Sequence, residues 1–571
     1  MNEINDQPLG YIVGGGLKEG FRVRLTIRAD EVQEGSFVVC EGGRFRYYGL
    51  VTDLNLGSTD PRFADEKSDR LPAGIQNTLY GKTLYTTLAM YPTLMLDLGP
   101  ELTSPERAVW QARVDSGEEN PGPRPVKTVP AHHAPVRPAN EGDVAAIFGE
   151  EGGANFAIGQ TIEQGYPVCL DLQRFVKRSS GIFGATGTGK SFLTRMVLAG
   201  LMQANVAAAL VFDMHNEYGF DDRDSDRDVS VRGLKAMFGQ KVQIAALGKG
   251  ARVRGNQPDF TLELALGDFR AADILLLADT LDLTDTAMVT LSALERVYQK
   301  DWFAEFMKLE PGAVIEDMDS GKKIPAPNSV AYWANRQNIH PVAAESLHRK
   351  LQPIFNKSYV VAHPAADAVK SIVDQLENGR HVILGFGEYD QELDYMLVSN
   401  VLTRRIREEW VRKTERNKTF GEAPPRPLVI AIEEAHKLLS PQVASQTAFG
   451  TIARELRKYN VTLLIVDQRP SGIDDEVMSQ LGTRITGWLG DEDDIRAVLS
   501  GLAGRDQLRG MLARLQEKEE VLLLGWGVKM PIPIRSRRYD VAFYNDMRGR
   551  RKGGISTERP YTLEEANRDL F

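Results

Sequence analysis

The sequence is poor in three features. It has 2 cysteines in 571 residues, Cys40 and Cys169, which excludes a disulfide framework and fits a reducing compartment. Its longest apolar runs, such as 206–212, are far shorter than the roughly 20 residues of a membrane-spanning helix. Residues 1–6 are acidic and carry no apolar stretch. We therefore expect no signal peptide, no membrane partner and a cytoplasmic location.

The composition is that of an ordinary soluble protein. The formal net charge is −9, with 42% hydrophobic and 26% charged residues. Because 571 residues are too many for one hydrophobic core, we expect two or three domains. The acidic balance argues against a surface coated with basic groups. It leaves open a nucleic acid that is held in an inner channel or groove.

The most informative segment is 184–191, which reads Gly-Ala-Thr-Gly-Thr-Gly-Lys-Ser. It fits the P-loop pattern, with a short apolar run before it and an amphipathic helical pattern behind it. In such a loop main-chain N–H groups surround the phosphates, the lysine reaches the β- and γ-phosphates, and the serine hydroxyl ligates Mg²⁺. We predict that ATP and Mg²⁺ are the cofactors. The predicted nucleotide-binding residues are Gly184, Ala185, Thr186, Gly187, Thr188, Gly189, Lys190 and Ser191.

Two acidic residues follow a second apolar run. Residues 428–432 read Leu-Val-Ile-Ala-Ile, and Glu433 and Glu434 come directly after them, as in a Walker B strand. We predict that Glu433 holds Mg²⁺ through water and that Glu434 is the general base that activates the attacking water. The alternative is a strand that runs into an acidic helix start, where glutamate suits the helix dipole. Together with the P-loop, this pattern predicts an ATPase.

Polar residues also follow two other apolar runs. Gln468 comes just after 461–467, and its amide can bind both water and phosphate, so we predict that it senses the γ-phosphate. The acidic segment 213–218 follows the strand-like run after the P-loop helix. Its carboxylates, on Asp213 and Glu217, either orient water, contact another subunit or shape a structural turn.

A basic helical face lies between the two acidic and polar motifs. Arg454, Arg457 and Lys458 recur at helical spacing, so their side chains share one face. The planar guanidinium group of arginine can bind the negative charge of a phosphoryl-transfer transition state, and it can do so from an adjacent subunit. Arg454 and Arg457 are therefore candidate catalytic residues, and the alternative is an ordinary charged helix face.

Changes of pattern along the chain predict its domains. Short β-like runs separated by turns come first, with Gly14-Gly15-Gly16 read as one of the turns, and later segments alternate between strand and helix patterns. The predicted order is an N-terminal small β-barrel at 1–105, a proline-rich linker at 106–150, the first part of an α/β ATPase core at 151–265, a helical insertion at 266–370, the second part of the core at 371–540 and a polar C-terminal tail at 541–571.

These motifs together resemble the HerA group of the HerA/FtsK superfamily of P-loop DNA translocases and helicases. The resemblance covers about 1–540 and rests on five segments: 184–191, 213–218, Glu-Glu-Ala-His at 433–436, Arg-Glu-Leu-Arg-Lys-Tyr at 454–459 and Gln-Arg-Pro-Ser at 468–471. It implies a RecA-like P-loop ATPase core behind a small β-barrel. It also implies a homo-hexameric ring with ATP between subunits, double-stranded DNA through the centre, and a partner nuclease or other effector.

Three functions fit this pattern. The first is an ATP-driven DNA translocase or helicase that works with a nuclease or effector, in DNA end processing or phage defence. The second is a soluble secretion or conjugation ATPase, because those motors share the same core. The third is an ATP-binding ring that serves as a scaffold for an antiviral effector.

Overall fold

The computed structural model describes residues 8–59, 84–119, 121–224, 229–316, 322–445, 447–502 and 504–550. The chain forms two compact units that are interleaved along the sequence. Unit 1 contains the residues up to 175 together with 183–190 and 482–537. Unit 2 contains 176–182, 191–481 and the residues from 538 onwards. Each unit has its own hydrophobic core.

Unit 1 begins with a closed antiparallel barrel. In the described part of the chain its six strands are Gly10–Gly16, Gly20–Leu25, Phe37–Gly42, Phe45–Ser58, Leu84–Asp97 and Pro135–Pro138. The second of these strands pairs with the fifth, and this pairing closes the barrel. Alternate side chains point inwards and form an apolar core that includes Val23, Tyr47 and Leu88. The predicted small barrel is confirmed.

The triple glycine differs from its prediction as a turn. Gly14, Gly15 and Gly16 lie in the strand Gly10–Gly16, where the register shifts between Ile12 and Gly14. Gly15 has a φ of +102°, and a Cβ there would come within 2.2 Å of the Gly20 carbonyl oxygen. The glycines therefore serve a strand irregularity with close approach of the neighbouring backbone.

The segment predicted as a linker, 106–150, has regular structure. Its elements are the helix Glu106–Asp115, the strands Arg124–Pro125 and Pro135–Pro138, and the helix Glu141–Phe148. The strand Pro135–Pro138 pairs with two barrel strands, and its Val136 is fully buried in the barrel core. Proline enters this strand because its fixed φ is compatible with extended backbone.

The rest of unit 1 contains antiparallel strands from distant parts of the sequence. In spatial order they are Thr483–Thr486, Glu520–Gly525, Ile532–Ser536, Asn155–Thr161 and Pro167–Asp171. Each adjacent pair is antiparallel. The accompanying helices are Leu172–Phe175, Glu492–Val498 and Arg505–Ala513, and the barrel carries the short 3-10 turn Ala29–Glu31.

Unit 2 is built on a parallel sheet. The strands, in spatial order, are Phe260–Leu262, Val242–Leu247, His381–Gly385, Ala208–Asp213, Leu428–Glu433, Val461–Asp467 and Ser180–Phe183. The pairings between the first six are all parallel. The central strands are buried along their whole length, as expected for a sheet that is covered on both faces. The RecA-like α/β core is confirmed.

Helices surround this sheet and form the insertion. The core helices are Lys190–Ala204, Leu234–Phe238, Glu392–Phe420, His436–Leu439, Ala448–Glu455 and Asp475–Gln480. Those of the region from 271 to 377 are Ala271–Leu275, Asp285–Tyr298, Trp302–Met307, Val330–Arg336, Pro341–Phe355 and Ala368–Glu377. Trp302, Phe303 and Phe306 are fully buried among the insertion helices. The predicted helical insertion is present.

Short elements complete unit 2. The small strand pairs are Asp222–Asp224 with Val229–Val231, Leu264–Ala265 with Val360–Val361, and Val314–Glu316 with Lys323–Pro325. The 3-10 turns are Gly239–Lys241, Leu266–Asp268, Gln299–Asp301, Leu456–Tyr459 and Pro470–Gly472. The helices of the described residues are all too short or too polar to cross a membrane.

The predicted polar tail begins with a helix. Val541–Arg550 is helical, and its Phe543, Tyr544 and Met547 are buried in unit 2. These apolar contacts explain the difference from the sequence prediction, because three large side chains on one helix face favour docking over a free tail. The remainder of the tail, 551–571, lies outside the described residues.

Candidate nucleotide site

The loop 184–190 in unit 1 has a backbone suited to phosphate binding. Gly187 and Gly189 have φ values of +80° and +87°, a region that L side chains rarely adopt. Thr188 closes the turn, because its main-chain N–H and its hydroxyl both donate to the Ala185 carbonyl, at 3.3 and 2.8 Å. Alternating glycines thus let successive N–H groups face one side of the loop.

The loop is anchored and leads straight into a helix. The Ala185 N–H donates to the Trp488 carbonyl at 3.0 Å, within unit 1. The Lys190 ammonium reaches back across the loop to the Ala185 carbonyl at 2.8 Å. The helix Lys190–Ala204 starts there and places Ser191 in its first turn, where N–H groups and the helix dipole favour an anion.

Glu433 is a buried carboxylate at the end of its strand in unit 2. The Tyr218 hydroxyl donates to its Oε1 at 2.5 Å, whereas its Oε2 is buried and has no hydrogen-bond partner among the described residues. Burial, with Asp213 nearby, raises the pKa of Glu433 well above its usual range. An unpartnered buried carboxylate oxygen is costly, and a cation or its bound water would satisfy it. The donor set at this strand end therefore fits Mg²⁺.

Asp213 shapes the turn that follows its strand. Its two carboxylate oxygens accept from the main-chain N–H groups of Glu217 and Tyr218 at 2.7 and 2.9 Å. Burial raises the pKa of Asp213 to about 6, against the opposing effect of these two hydrogen bonds. The Arg195 guanidinium in turn donates to the Glu217 carbonyl at 3.0 Å. Asp213 thus builds a structural turn, and that turn presents Tyr218 to Glu433.

Glu434 leaves the sheet in an unusual conformation. Its φ is +46°, which is uncommon for a residue with a side chain. Its half-buried carboxylate accepts a hydrogen bond from the Gln468 amide at 3.2 Å. The strands Leu428–Glu433 and Val461–Asp467 are parallel neighbours, so their carboxyl ends bring these two side chains together. The structure thus joins the predicted base and the predicted sensor, whose roles stay predictions.

A histidine–aspartate pair supports the same two strand ends. Asp467 is buried and accepts from the His436 main-chain N–H at 2.7 Å and from the Arg469 N–H at 2.7 Å. The His436 Nδ1 lies 3.0 Å from the Asp467 Oδ2, and this hydrogen bond raises the pKa of His436 above its ordinary value. His436 belongs to the motif at 433–436 and Asp467 ends the apolar run 461–467, and neither pattern predicts this contact.

Tyr395 is a site residue that sequence reasoning missed. It lies on the helix Glu392–Phe420, is fully buried, and its hydroxyl binds the main chain of Glu433. A single tyrosine on an amphipathic helix gives no pattern that would point to a contact with a strand so distant in sequence.

Arg454 is held by carboxylates other than Glu433 and Glu434. Arg454 is paired with Asp474 at 3.4 Å and with Glu476 at 2.9 Å, all within unit 2. The side chain of Arg457 lies outside the described residues. The structure therefore shows which partners hold Arg454 within one chain, and the finger role stays a prediction.

Known proteins support the same reading of the chain. A family model described as "Helicase HerA, central domain" matches residues 156–406. The DNA double-strand break repair helicase HerA of Sulfurisphaera tokodaii is 23% identical over 539 residues, covering 93% of each chain. The protein of that name from Saccharolobus solfataricus is 22% identical and covers 92% of this chain and 91% of its own length.

Solved structures of P-loop ATPases are also similar. VirB4 of Thermoanaerobacter pseudethanolicus is 15% identical, with a TM-score of 0.43 over 68% of this chain and 97% of its own. The motifs at 184–191 and 433–436, the parallel core, the closed barrel and the family match over 156–406 agree with one another. Residues 156–406 therefore match the central domain of the HerA helicases, and the chain is similar to HerA helicases over most of its length.

Proposed function

We propose that this chain is an ATP-hydrolysing translocase of double-stranded DNA that works as a homo-hexamer with a partner nuclease or other effector protein. The observation that carries the hydrolytic part is the contrast between the two acids at one strand end. Glu433 is buried with an unpartnered oxygen, whereas Glu434 is half-buried and bonded to Gln468. The names of the HerA relatives support DNA as the substrate and DNA repair as one setting; phage defence is the other.

The site residues have different roles in ATP hydrolysis. The remaining main-chain N–H groups of 184–190 and the Lys190 ammonium would bind the phosphates of ATP, while the Ser191 hydroxyl and the Glu433 carboxylate would hold Mg²⁺. When bound, Mg²⁺ neutralises phosphate charge and orients the terminal phosphate. Glu434 accepts the proton of the attacking water. The Gln468 side-chain amide donates to Glu434. The same amide can also bind water and phosphate, so it is suited to orienting the attacking water and to sensing the γ-phosphate.

The ATPase rate with and without duplex DNA tests this function. The protein is first sized by light scattering, and the rate is then measured at low and moderate salt. We expect a hexamer whose turnover is stimulated by duplex DNA, with the stimulation weakening as salt rises, because salt competes with the protein's contacts to DNA phosphates. Lys190→Ala serves as the background control for contaminating ATPases.

The same measurement separates the alternatives. A hexamer whose turnover is indifferent to DNA would contradict the translocase and favour a ring scaffold for an antiviral effector or a soluble secretion or conjugation ATPase. The absence of a membrane-spanning helix in the described residues favours none of the three.

Mixed rings test the arginine finger. Arg454→Ala subunits, inactive alone, should regain part of their ATPase activity when mixed with Lys190→Ala subunits. A Lys190→Ala subunit still carries Arg454, and this arginine can complete the ATP site of a neighbouring Arg454→Ala subunit whose phosphate-binding loop is intact. Arg457→Ala is tested in the same way, and Arg412→Ala, whose side chain is 61% exposed, is the surface control.

The mixing experiment needs proof that subunits exchange. Rings that carry two different affinity tags, purified on both, provide it. Absence of rescue in such rings would place the action of Arg454 within its own subunit, or in its ion pairs with Asp474 and Glu476 alone.

A further inference from the structure

One tyrosine hydroxyl is hydrogen-bonded to both the main-chain N–H and the carbonyl of Glu433. The Tyr395 hydroxyl donates to the Glu433 carbonyl at 2.8 Å and accepts from the Glu433 N–H at 3.0 Å. A tyrosine hydroxyl has one donor and accepts as well, so this pair uses both of its capacities. Tyr395 is completely buried, so water does not replace either bond.

Tyr395 itself is held firmly in unit 2. Its ring packs against Phe386, with centroids 5.3 Å apart. The preceding residue, Asp394, is buried and accepts from the Lys357 ammonium at 2.9 Å and the Tyr359 hydroxyl at 2.6 Å. These contacts fix the first turn of the helix Glu392–Phe420, and with it the position of the Tyr395 hydroxyl.

The contact lies at the point where the chain turns out of the sheet. Glu433 is the last residue of its strand and pairs with Val466 of the neighbouring strand. Glu434, the next residue, takes a φ of +46°. A left-handed residue with a side chain persists only where its surroundings hold it in place. The bonds to both main-chain groups of Glu433 supply such a restraint one residue earlier.

The direction of this turn determines which groups the Glu434 carboxylate contacts. In the observed conformation that carboxylate receives the Gln468 amide at 3.2 Å. The reaction rate falls steeply when a catalytic group is displaced, because a general base must lie within hydrogen-bond distance of the reacting water to accept its proton. A restraint on the Glu433 main chain therefore acts on the geometry of Glu434.

We propose that Tyr395 is a positioning residue for ATP hydrolysis, whose hydroxyl fixes the main chain of Glu433 and thereby aims the Glu434 carboxylate. The proposal rests on the proposed role of Glu434 as general base. Tyr395 takes no part in proton transfer itself, since its hydroxyl is occupied by main-chain groups. Its removal should therefore lower turnover while leaving the binding of nucleotide largely intact.

The variant Tyr395→Phe removes only the oxygen and keeps the packed ring. We expect kcat to fall at least about ten-fold. The dissociation constant of a fluorescent ATP analogue should change by less than about three-fold, because the phosphate-binding loop is untouched. Tyr48→Phe is the matched control, for which kcat should stay unchanged. Tyr48 is a fully buried barrel residue whose hydroxyl lies 3.4 Å from a carboxylate oxygen of Asp143, on the helix Glu141–Phe148.

A double variant separates positioning from general damage. If Tyr395 acts through Glu434, adding Tyr395→Phe to Glu434→Gln should leave the residual rate within about two-fold of Glu434→Gln alone. Losses that multiply would overturn the proposal, as would a Tyr395→Phe kcat within about two-fold of the wild type. A Tyr395→Phe protein that unfolds or no longer binds the analogue would also overturn it, because the hydroxyl would then be supporting the fold. Failure of the proposed function is seen separately, as a wild type that does not exceed Lys190→Ala.

Discussion

Lys190→Ala is expected to lower ATP turnover by at least about 100-fold, the scale set by removing one donor from a developing negative charge. The Lys190 ammonium reaches across its own loop and donates to the Ala185 carbonyl at 2.8 Å, so it lies close to the loop backbone. Its charge acts on the β- and γ-phosphates, where negative charge shifts during phosphoryl transfer. Alanine suits the helix Lys190–Ala204 at its first position, so the fold should persist.

The measurement is steady-state ATPase with saturating Mg²⁺, together with binding of a fluorescent ATP analogue. We expect weaker binding as well as slower turnover, because the lysine contacts phosphate in both the ground and the transition state. Lys308→Ala is the matched control, since Lys308 is 68% exposed and directly follows the insertion helix Trp302–Met307. A purified, folded Lys190→Ala protein that retains substantial turnover would contradict the assignment of 184–191 as the phosphate-binding loop.

Two of the strands that carry the motifs could be predicted closely from their apolar runs. Leu428–Glu433 and Val461–Asp467 have the bounds expected from their apolar runs. Parallel strands covered on both faces appear in sequence as uninterrupted apolar segments, and the polar residue at the end of each is then conspicuous. The pairing of Glu434 with Gln468 follows from the same rule once the two strands are neighbours.

Contacts between distant elements could not be predicted in this way. Nothing in the pattern of the helix Glu392–Phe420 distinguishes Tyr395 from an ordinary core aromatic. Tyr218 was part of a recognised motif, but its hydroxyl bond to Glu433 depends on the turn that Asp213 closes. A side chain's partner across the fold is fixed by tertiary packing, which one sequence does not display.

The proline-rich segment 106–150 is a second case in which a contact between distant elements could not be predicted. Their spacing favours an extended linker, and the backbone at Pro135–Pro138 is indeed extended. Whether an extended segment stays free or joins a sheet depends on its apolar side chains, and the fully buried Val136 places this one in the barrel. Composition therefore predicted the local conformation correctly and missed the long-range pairing.

Glu434→Gln is expected to slow ATP turnover by about 100- to 10,000-fold, the range for loss of a general base, with nucleotide binding retained. Glutamine has nearly the same shape as glutamate but cannot accept the proton of the attacking water. The hydrogen bonds of Tyr395 to the Glu433 main chain do not involve the Glu434 side chain, so the turn should persist. Pre-steady-state measurements should show ATP bound and left intact.

Glu433→Gln should give the contrasting result, and the pair distinguishes the two acids. Loss of the Glu433 charge should raise the Mg²⁺ concentration needed for half-maximal turnover, whereas Glu434→Gln should leave that concentration unchanged. Of these two acids, Glu433 is the one with a buried oxygen that has no partner in the described part of the chain. Asp493→Asn, at a carboxylate that is 71% exposed and pairs with Arg496, is the surface control. A folded Glu434→Gln protein that binds nucleotide poorly, or whose defect is relieved by more Mg²⁺, would mean that Glu434 holds the metal ion and that the roles of the two acids are reversed.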